Sequence, residues 1–362
     1  MSKNVLPVVY PTITTFPPYA DTLAILQSHE ESLSWVYSHY IQTYVIDVID
    51  GSEKNLKSFM PCFFGDFDNR RIVNTVSDCI FLNREINPFL NIFEIPISII
   101  NSTGIDYVDL IKTSLDMSMY VYAYCDVSKI EEYKLSDSTA HEVFIFGYDD
   151  ASNEFEYADF PNSKQNKYTF STCSYSEIKR ALDGVKDLFI PIVKSIALIQ
   201  FVPEGPFVLD YKYIQESISD YLYPDAEKLF RLGRYIDTFV NTGEFSWVTK
   251  PYMGTGTYEY FADIPKRITS NGIDLRLYHA MCEHKRMMIE RIVYLVNGGY
   301  IDNKWQSEIN EYRELSHRMI RVRNKIIKFN LTGKEHILDS VPEEISRIQR
   351  DEELLLKVIF TL

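Results

Sequence analysis

Apolar positions change their period along the chain. Over residues 21–49, Leu23, Leu26, Leu33, Val36, Tyr37, Tyr40, Ile41, Tyr44, Val45 and Val48 recur at helical spacing, which predicts one helix ended by Gly51-Ser52. Residues 1–20, with prolines at 7, 11, 17 and 18, read as an extended arm. The aromatic stretch 58–67, broken by Pro61 and Gly65, reads as a packed loop, and Asp68 as the cap of a helix over about 69–82. A short strand is expected at 97–101 behind Pro96, and a helix around 106–116. From Met117 the period falls to two: strands are expected at 117–125, across a hairpin over 141–159, near 166–171 and at 195–202, with a helix at 174–184 capped by Ser174 or Ser176.

Beyond Pro203 the helical period returns over 210–222, 224–241, 273–297, 303–329 and 341–360, with caps expected at Asp225, Asn303 and Ser340. The residues between 242 and 272 form a longer connection. The pattern predicts two domains, 1–203 of mixed α+β character with an antiparallel sheet and 204–362 mainly helical.

Composition narrows the possible partners. The chain has 362 residues, of which 46% are hydrophobic and 14% aromatic, enough for sizeable cores. Its net charge of −14 supplies no excess of cations for phosphates, so nucleic acid is not an expected partner. No apolar run approaches the roughly 20 residues of a membrane span, and the proline-broken start lacks the apolar core of a secretion signal. A cytoplasmic protein with no membrane partner is therefore the expectation. The cysteines at 62, 79, 125, 173 and 282 are scattered and show no CxxC spacing, which fits neither a disulfide framework nor structural zinc.

The candidate chemistry lies in His141–Asp159, HEVFIFGYDDASNEFEYAD. A histidine at a strand start is ordinarily a satisfied, partly buried residue, and Asp159 alone would be a turn residue. Together they stand at the same end of an antiparallel hairpin, where a carboxylate can fix the tautomer of an imidazole. That is half of a nucleophile-activating triad.

The segment MYVYAYCD…HEVFIFGYDD…FEYAD resembles the His/Asp half of papain-like cysteine peptidases of the bacteriocin-processing (C39) type. It is still more similar to the N-terminal domain of butirosin biosynthesis protein H. The resemblance covers roughly residues 1–200. It implies a papain-like fold and cysteine-based acyl transfer, with His141 as acid/base and Asp159 as its orienting carboxylate. Members of this type near assembly lines join an acyl thioester on the phosphopantetheine of a carrier protein to an amine. The implied partners are thus a peptidyl or acyl carrier protein and a small amine. No cofactor of the chain's own is implied, and the sequence has no GxxxxGK[ST].

The nucleophile departs from the family pattern, in which a cysteine begins a long helix whose dipole lowers the thiol pKa. The first expected helix carries Ser32, Ser34 and Ser38 instead. Cys62, held by Pro61, has a spacing to His141 that resembles the family's and is the expected nucleophile; a buried structural thiol is the alternative. Cys79 reads as core, Cys125 could lie near His141 but without a helix to lower its pKa, and Cys173 falls outside the pattern. The nucleophile's backbone N–H, with Gln42 or Gln27, is the expected oxyanion donor. A degenerate scaffold without a working thiol and a hydrolase are the other readings.

Elsewhere, His279, Cys282 and His284 share a helical stretch without a metal-site pattern, and Gly254-Thr255-Gly256 reads as a turn. Arg318, Arg321, Arg323, Lys325 and Lys328 form a basic helix face, either simply solvated or able to dock an acidic carrier protein.

Overall fold

A computed structural model describes residues 2–49, 56–62, 87–161, 164, 167–185, 195–205, 207–224, 252–270 and 272–362. In chain order its described elements are β1 (Lys3–Val5), α1 (Pro17–Leu26), α2 (Glu30–Ser38), β2 (Tyr44–Ile49), β3 (Leu56–Cys62), β4 (Leu90–Pro96), α3 (Ile97–Thr103), α4 (Tyr107–Asp116), β5 (Met119–Asp126), β6 (Ala140–Asp149), β7 (Glu154–Asp159), β8 (Thr169–Ser174), α5 (Tyr175–Gly184) and β9 (Ser195–Phe201). There follow α6 (Tyr211–Leu222), β10 (Tyr252–Met253), α7 (Thr257–Ala262), α8 (Leu275–Asn297), α9 (Gln306–Thr332) and α10 (Val341–Ile359). They form two compact units, Met1–Leu33 with Val73–Phe207, and Ser34–Ile72 with Val208–Leu362. The described residues 34–49 and 56–62 thus group with the helical unit, where the sequence pattern placed them in the first domain.

The first unit is α+β. Its seven-stranded antiparallel sheet runs β4-β9-β5-β6-β7-β8, with β1 added along the end of β6. Successive residues Tyr120 to Ala123 and Val143 to Phe146 are all buried, so both faces of the central strands are covered. Against β5 pack α4 and α5, inserting Ile111 and Leu115, and Ile178 and Leu182. Each such side chain removed from water stabilises the fold by about 1.5–3 kcal/mol. Asp106 caps α4 by accepting from Val108 N, and Ser174 with Glu177 forms a reciprocal capping box at α5.

Buried tyrosines fill this unit and direct their hydroxyls at carboxylates, combining apolar bulk with a polar handle. Tyr148 donates to Asp116 at 2.8 Å, Tyr157 to Glu132 at 2.8 Å, and Tyr168 to Asp21 at 2.8 Å.

The second unit carries a small sheet ordered β10-β2-β3 and the helices α6 to α10. Its core holds an ion pair of zero exposure, Lys285 Nζ to Glu352 Oε1 at 2.5 Å. Glu352 also accepts from the hydroxyls of Tyr221, Tyr258 and Tyr312. Burial opposes both charges; it lowers the Lys285 pKa, while the Lys285 ammonium holds Glu352 below the usual range. The same helix, α8, secures carbonyls of the segment 37–41. His284 Nε2 donates to Ile41 O at 2.8 Å, and Arg291 donates to Tyr37 O at 2.8 Å and to His39 O. These bonds satisfy backbone acceptors that would otherwise be buried unpaired.

Several expectations are corrected. The single helix over 21–49 is α1, α2 and the strand β2, because the run Tyr44-Val45-Ile46-Asp47-Val48-Ile49 is β-branched and pairs with β3 and β10. Tyr40, at φ 58°, turns the chain between α2 and β2. Helix α1 starts at Pro17, whose missing N–H is harmless in a first turn. Of the loop expected over 58–67, residues 58–62 belong to the strand β3, and 63–67 lie outside the described residues. The strand expected at 97–101 is the helix α3, and the strand is its predecessor β4. There Pro96 starts a helix and Gly104, at φ 70°, ends it in the left-handed conformation. Ser340 makes no side-chain cap, since its hydroxyl accepts from Lys325. The expected cap at Asn303 is supplied by Asp302, which accepts from Lys304 N. The helices expected at 69–82 and 224–241, with Asp68 and Asp225, lie outside the described residues, apart from Tyr223 and Pro224 at the second's edge.

Candidate active site

The hairpin β6–β7 turns through Asp150 to Asn153. Asp149 Oδ1 accepts from Ala151 N at 2.8 Å, and Asn153 adopts φ 59°, a conformation asparagine tolerates. Its register places Phe144 opposite Ala158. Continuing that register sets Asp159 opposite Val143, diagonal to His141 on the same face, within reach of a long side chain.

The expected bond forms: His141 Nδ1 lies 3.0 Å from Asp159 Oδ2 and 3.0 Å from the Glu142 carbonyl oxygen. Both partners are acceptors, so Nδ1 carries the proton and Nε2 is the nitrogen left for proton exchange. Asp159 is buried, whereas the His141 side chain keeps 35% of its surface open. The ring is thus anchored at Nδ1 while part of the side chain stays open to solvent. Burial disfavours the imidazolium, but the bond to Asp159, its charge and that of Glu142 outweigh burial and hold the His141 pKa up to about 10.

Three groups around the pair escape the sequence pattern. Tyr133, on a 3-10 turn at Glu131–Tyr133, donates to Asp159 Oδ2, the same oxygen that His141 engages. Asp21 of α1 is buried, accepts from Tyr168, and is pushed well above the usual carboxyl range by burial, with Asp159 and Glu142 adding to the shift. Glu142, raised by burial, approaches His141 Nδ1 at 3.9 Å. An aromatic residue in the polar loop EEYKLSDS was the available signal for Tyr133; Asp21 carries none, because it reads as the first turn of a helix.

The thiols separate by environment. Register sets Cys125 directly opposite His141, with both side chains on one face. Cys125 is nevertheless 1% exposed, and burial, with Asp159, Asp126 and Glu142, drives its pKa well up. Burial does the same to Cys173 and takes Cys282 up to about 12. Cys62 ends β3 opposite Tyr44, in a strand of the second unit rather than at a helix start; its side chain lies outside the described residues, as does Cys79.

The two candidate glutamines each make other hydrogen bonds. Gln42 is buried and donates from Nε2 to Ser217 O at 2.9 Å, leaving one amide N–H. Gln27 is bonded to Thr12 through both its amide nitrogen and oxygen. In α8, His279 pairs with Glu283 at 3.2 Å and His284 turns to Ile41, and no metal-holding group occurs among the described residues. Of the basic face on α9, Arg318 is bound to Asp351 and Lys325 to Glu344, which lowers the positive charge it offers a partner. No helix among the described residues is long and apolar enough to cross a membrane.

No protein-family model matches the chain, and a search of curated proteins finds no match.

Proposed function

We propose that the chain is a papain-like, cysteine-dependent acyltransferase. It joins a carrier-protein-bound acyl thioester to a small amine, forming an amide in nonribosomal, thiotemplated biosynthesis in the cytoplasm. The observation that carries this reading is the buried Asp159 carboxylate on Nδ1 of a histidine whose side chain stays partly exposed. The resemblance of roughly residues 1–200 to papain-like proteins, including the protease-like amide synthetase of polythioamide assembly, supplies the class of reaction.

In this reading Cys62 is the nucleophile. Its proton passes to His141 Nε2, and the imidazolium is held by Asp159. The thiolate sulfur bonds to the thioester carbonyl carbon, and the oxyanion is stabilised by N–H donors, with Gln42 the side-chain candidate. The carbon–sulfur bond to the carrier then breaks, and the departing thiolate takes the imidazolium proton. The amine attacks the acyl-enzyme, gives its proton to the neutral imidazole, and releases the amide and the Cys62 thiolate. A thioester is activated enough that no nucleotide is consumed.

Incubation with an acyl-carrier thioester and a panel of small amines tests this. Amide should accumulate with carrier release, and free acid should be the minor product. Free acid alone would make the protein a hydrolase. One observation favours a different reading: Cys62 ends a strand, without the helix dipole that activates a papain-like thiol. A scaffold of this fold would bind the carrier and turn over nothing.

A further inference from the structure

Asp159 uses its two oxygens unequally. Oδ2 receives both His141 Nδ1 and the Tyr133 hydroxyl. Oδ1 is buried and has no partner among the described residues. A carboxylate free to rotate would distribute two donors over its two oxygens, so a second constraint must select Oδ2.

That constraint is the turn carrying Tyr133. Its backbone is fixed from α5, where Glu177 Oε1 accepts from Glu131 N at 2.8 Å. Its middle residue, Glu132, accepts from Tyr157 at 2.8 Å, from Ser171, and from Lys164 at 3.2 Å. Lys134, at φ 52°, closes the turn. The Tyr133 ring is 3% exposed, so neither ring nor hydroxyl has room to swing. The phenol is raised far above its ordinary pKa by burial and Asp159, so it stays a donor at all physiological pH.

We propose that Tyr133 is a positioning residue of the His141–Asp159 pair: by donating to the shared oxygen it selects the carboxylate face the ring meets and moderates the negative charge the ring feels. A hydroxyl donating to a carboxylate stabilises its charge and competes with Nδ1–H for the same lone-pair density. The other groups facing the ring are Glu142 of β6, Asp21 of α1 and Cys125 of β5. Asp159 and Glu142 both raise the ring's affinity for a proton, burial pushes Asp21 toward its neutral form, and burial favours the thiol form of Cys125. Tyr133 is therefore the neutral donor that weakens this pull without adding a charge.

The inference rests on the pair used in the proposed reaction but is read without turnover, so its failure and that of acyl transfer are distinguishable. The measurement is the NMR titration of the His141 ring in the full chain, assigned by loss of the signal in His141→Gln. Tyr133→Phe, which keeps the ring and deletes only the hydroxyl, should move the His141 midpoint upward by about 0.5–1 pH unit. Glu132→Gln, which loosens the same turn but retains the phenol, should leave it in place. If Tyr133→Phe does not fold, 3-fluorotyrosine at position 133, a stronger donor of nearly the same size, should move the midpoint downward. An unchanged midpoint in a folded Tyr133→Phe chain, or in the fluorinated chain, overturns the proposal. So does an equal shift in Glu132→Gln, which would assign the effect to the turn.

Discussion

Asp159→Asn is expected to lower amide-forming turnover by about a thousand- to ten-thousand-fold while leaving KM nearly unchanged. The substitution preserves shape in a buried position and removes only the charge and one acceptor. Its effect is therefore concentrated where the imidazolium forms. Three consequences combine. The tautomer is no longer fixed, because an amide can present either a donor or an acceptor to Nδ1. The pKa of His141 falls from about 10 toward its ordinary range. The hydroxyl of Tyr133 also loses the charged acceptor it shares with the ring. The check is steady-state amide formation from an acyl-carrier thioester; turnover within tenfold of wild type would remove Asp159 from the reaction.

Glu352→Leu is expected to produce the largest loss of stability among single substitutions in the second unit, about 3–5 kcal/mol. The carboxylate neutralises Lys285 at zero exposure and accepts three tyrosine hydroxyls. Leucine fills a similar volume but leaves an ammonium with no counter-charge and three donors without their acceptor. The double substitution Lys285→Met/Glu352→Leu removes both charges together and should be less destabilised than the single one. Urea unfolding followed by circular dichroism reads both. A single variant that loses under 1 kcal/mol, or a double variant worse than the single, would contradict a neutralised buried pair.

The hairpin was legible because its signals are local. Alternation over 143–147, an Asp/Ser/Asn turn and a polar residue at each open end fix register and face before any tertiary contact is considered. The capping box at Ser174 and Glu177 was legible for the same reason. The segment 21–49 was not: its apolar residues fit a period of 3.6 nearly as well as two shorter helices and a strand, and the choice is made by the pairing of β2 with β3 and β10, which comes from distant sequence. Isoleucines at 97–100 favour a strand by propensity, yet Pro96 and Gly104 bound a seven-residue helix. In the site, the pair His141–Asp159 could be found from spacing, whereas Tyr133 and Asp21 reach it through a loop and a helix whose positions only the folded sheet determines.

Activation of one thiol by the His141–Asp159 pair is tested most directly by the iodoacetamide labelling rate of each cysteine, followed by peptide mapping. Cys125, Cys173 and Cys282 are buried with raised pKa values and should label slowly in the folded chain. With the imidazolium held up to about 10, a paired thiol should be thiolate well below the ordinary thiol pKa of about 8.5. The predicted result is one fast cysteine at neutral pH, mapping to Cys62, whose rate falls at least tenfold in His141→Ala. A Cys62 that labels no faster than a free thiol, or at the same rate in His141→Ala, would contradict the triad.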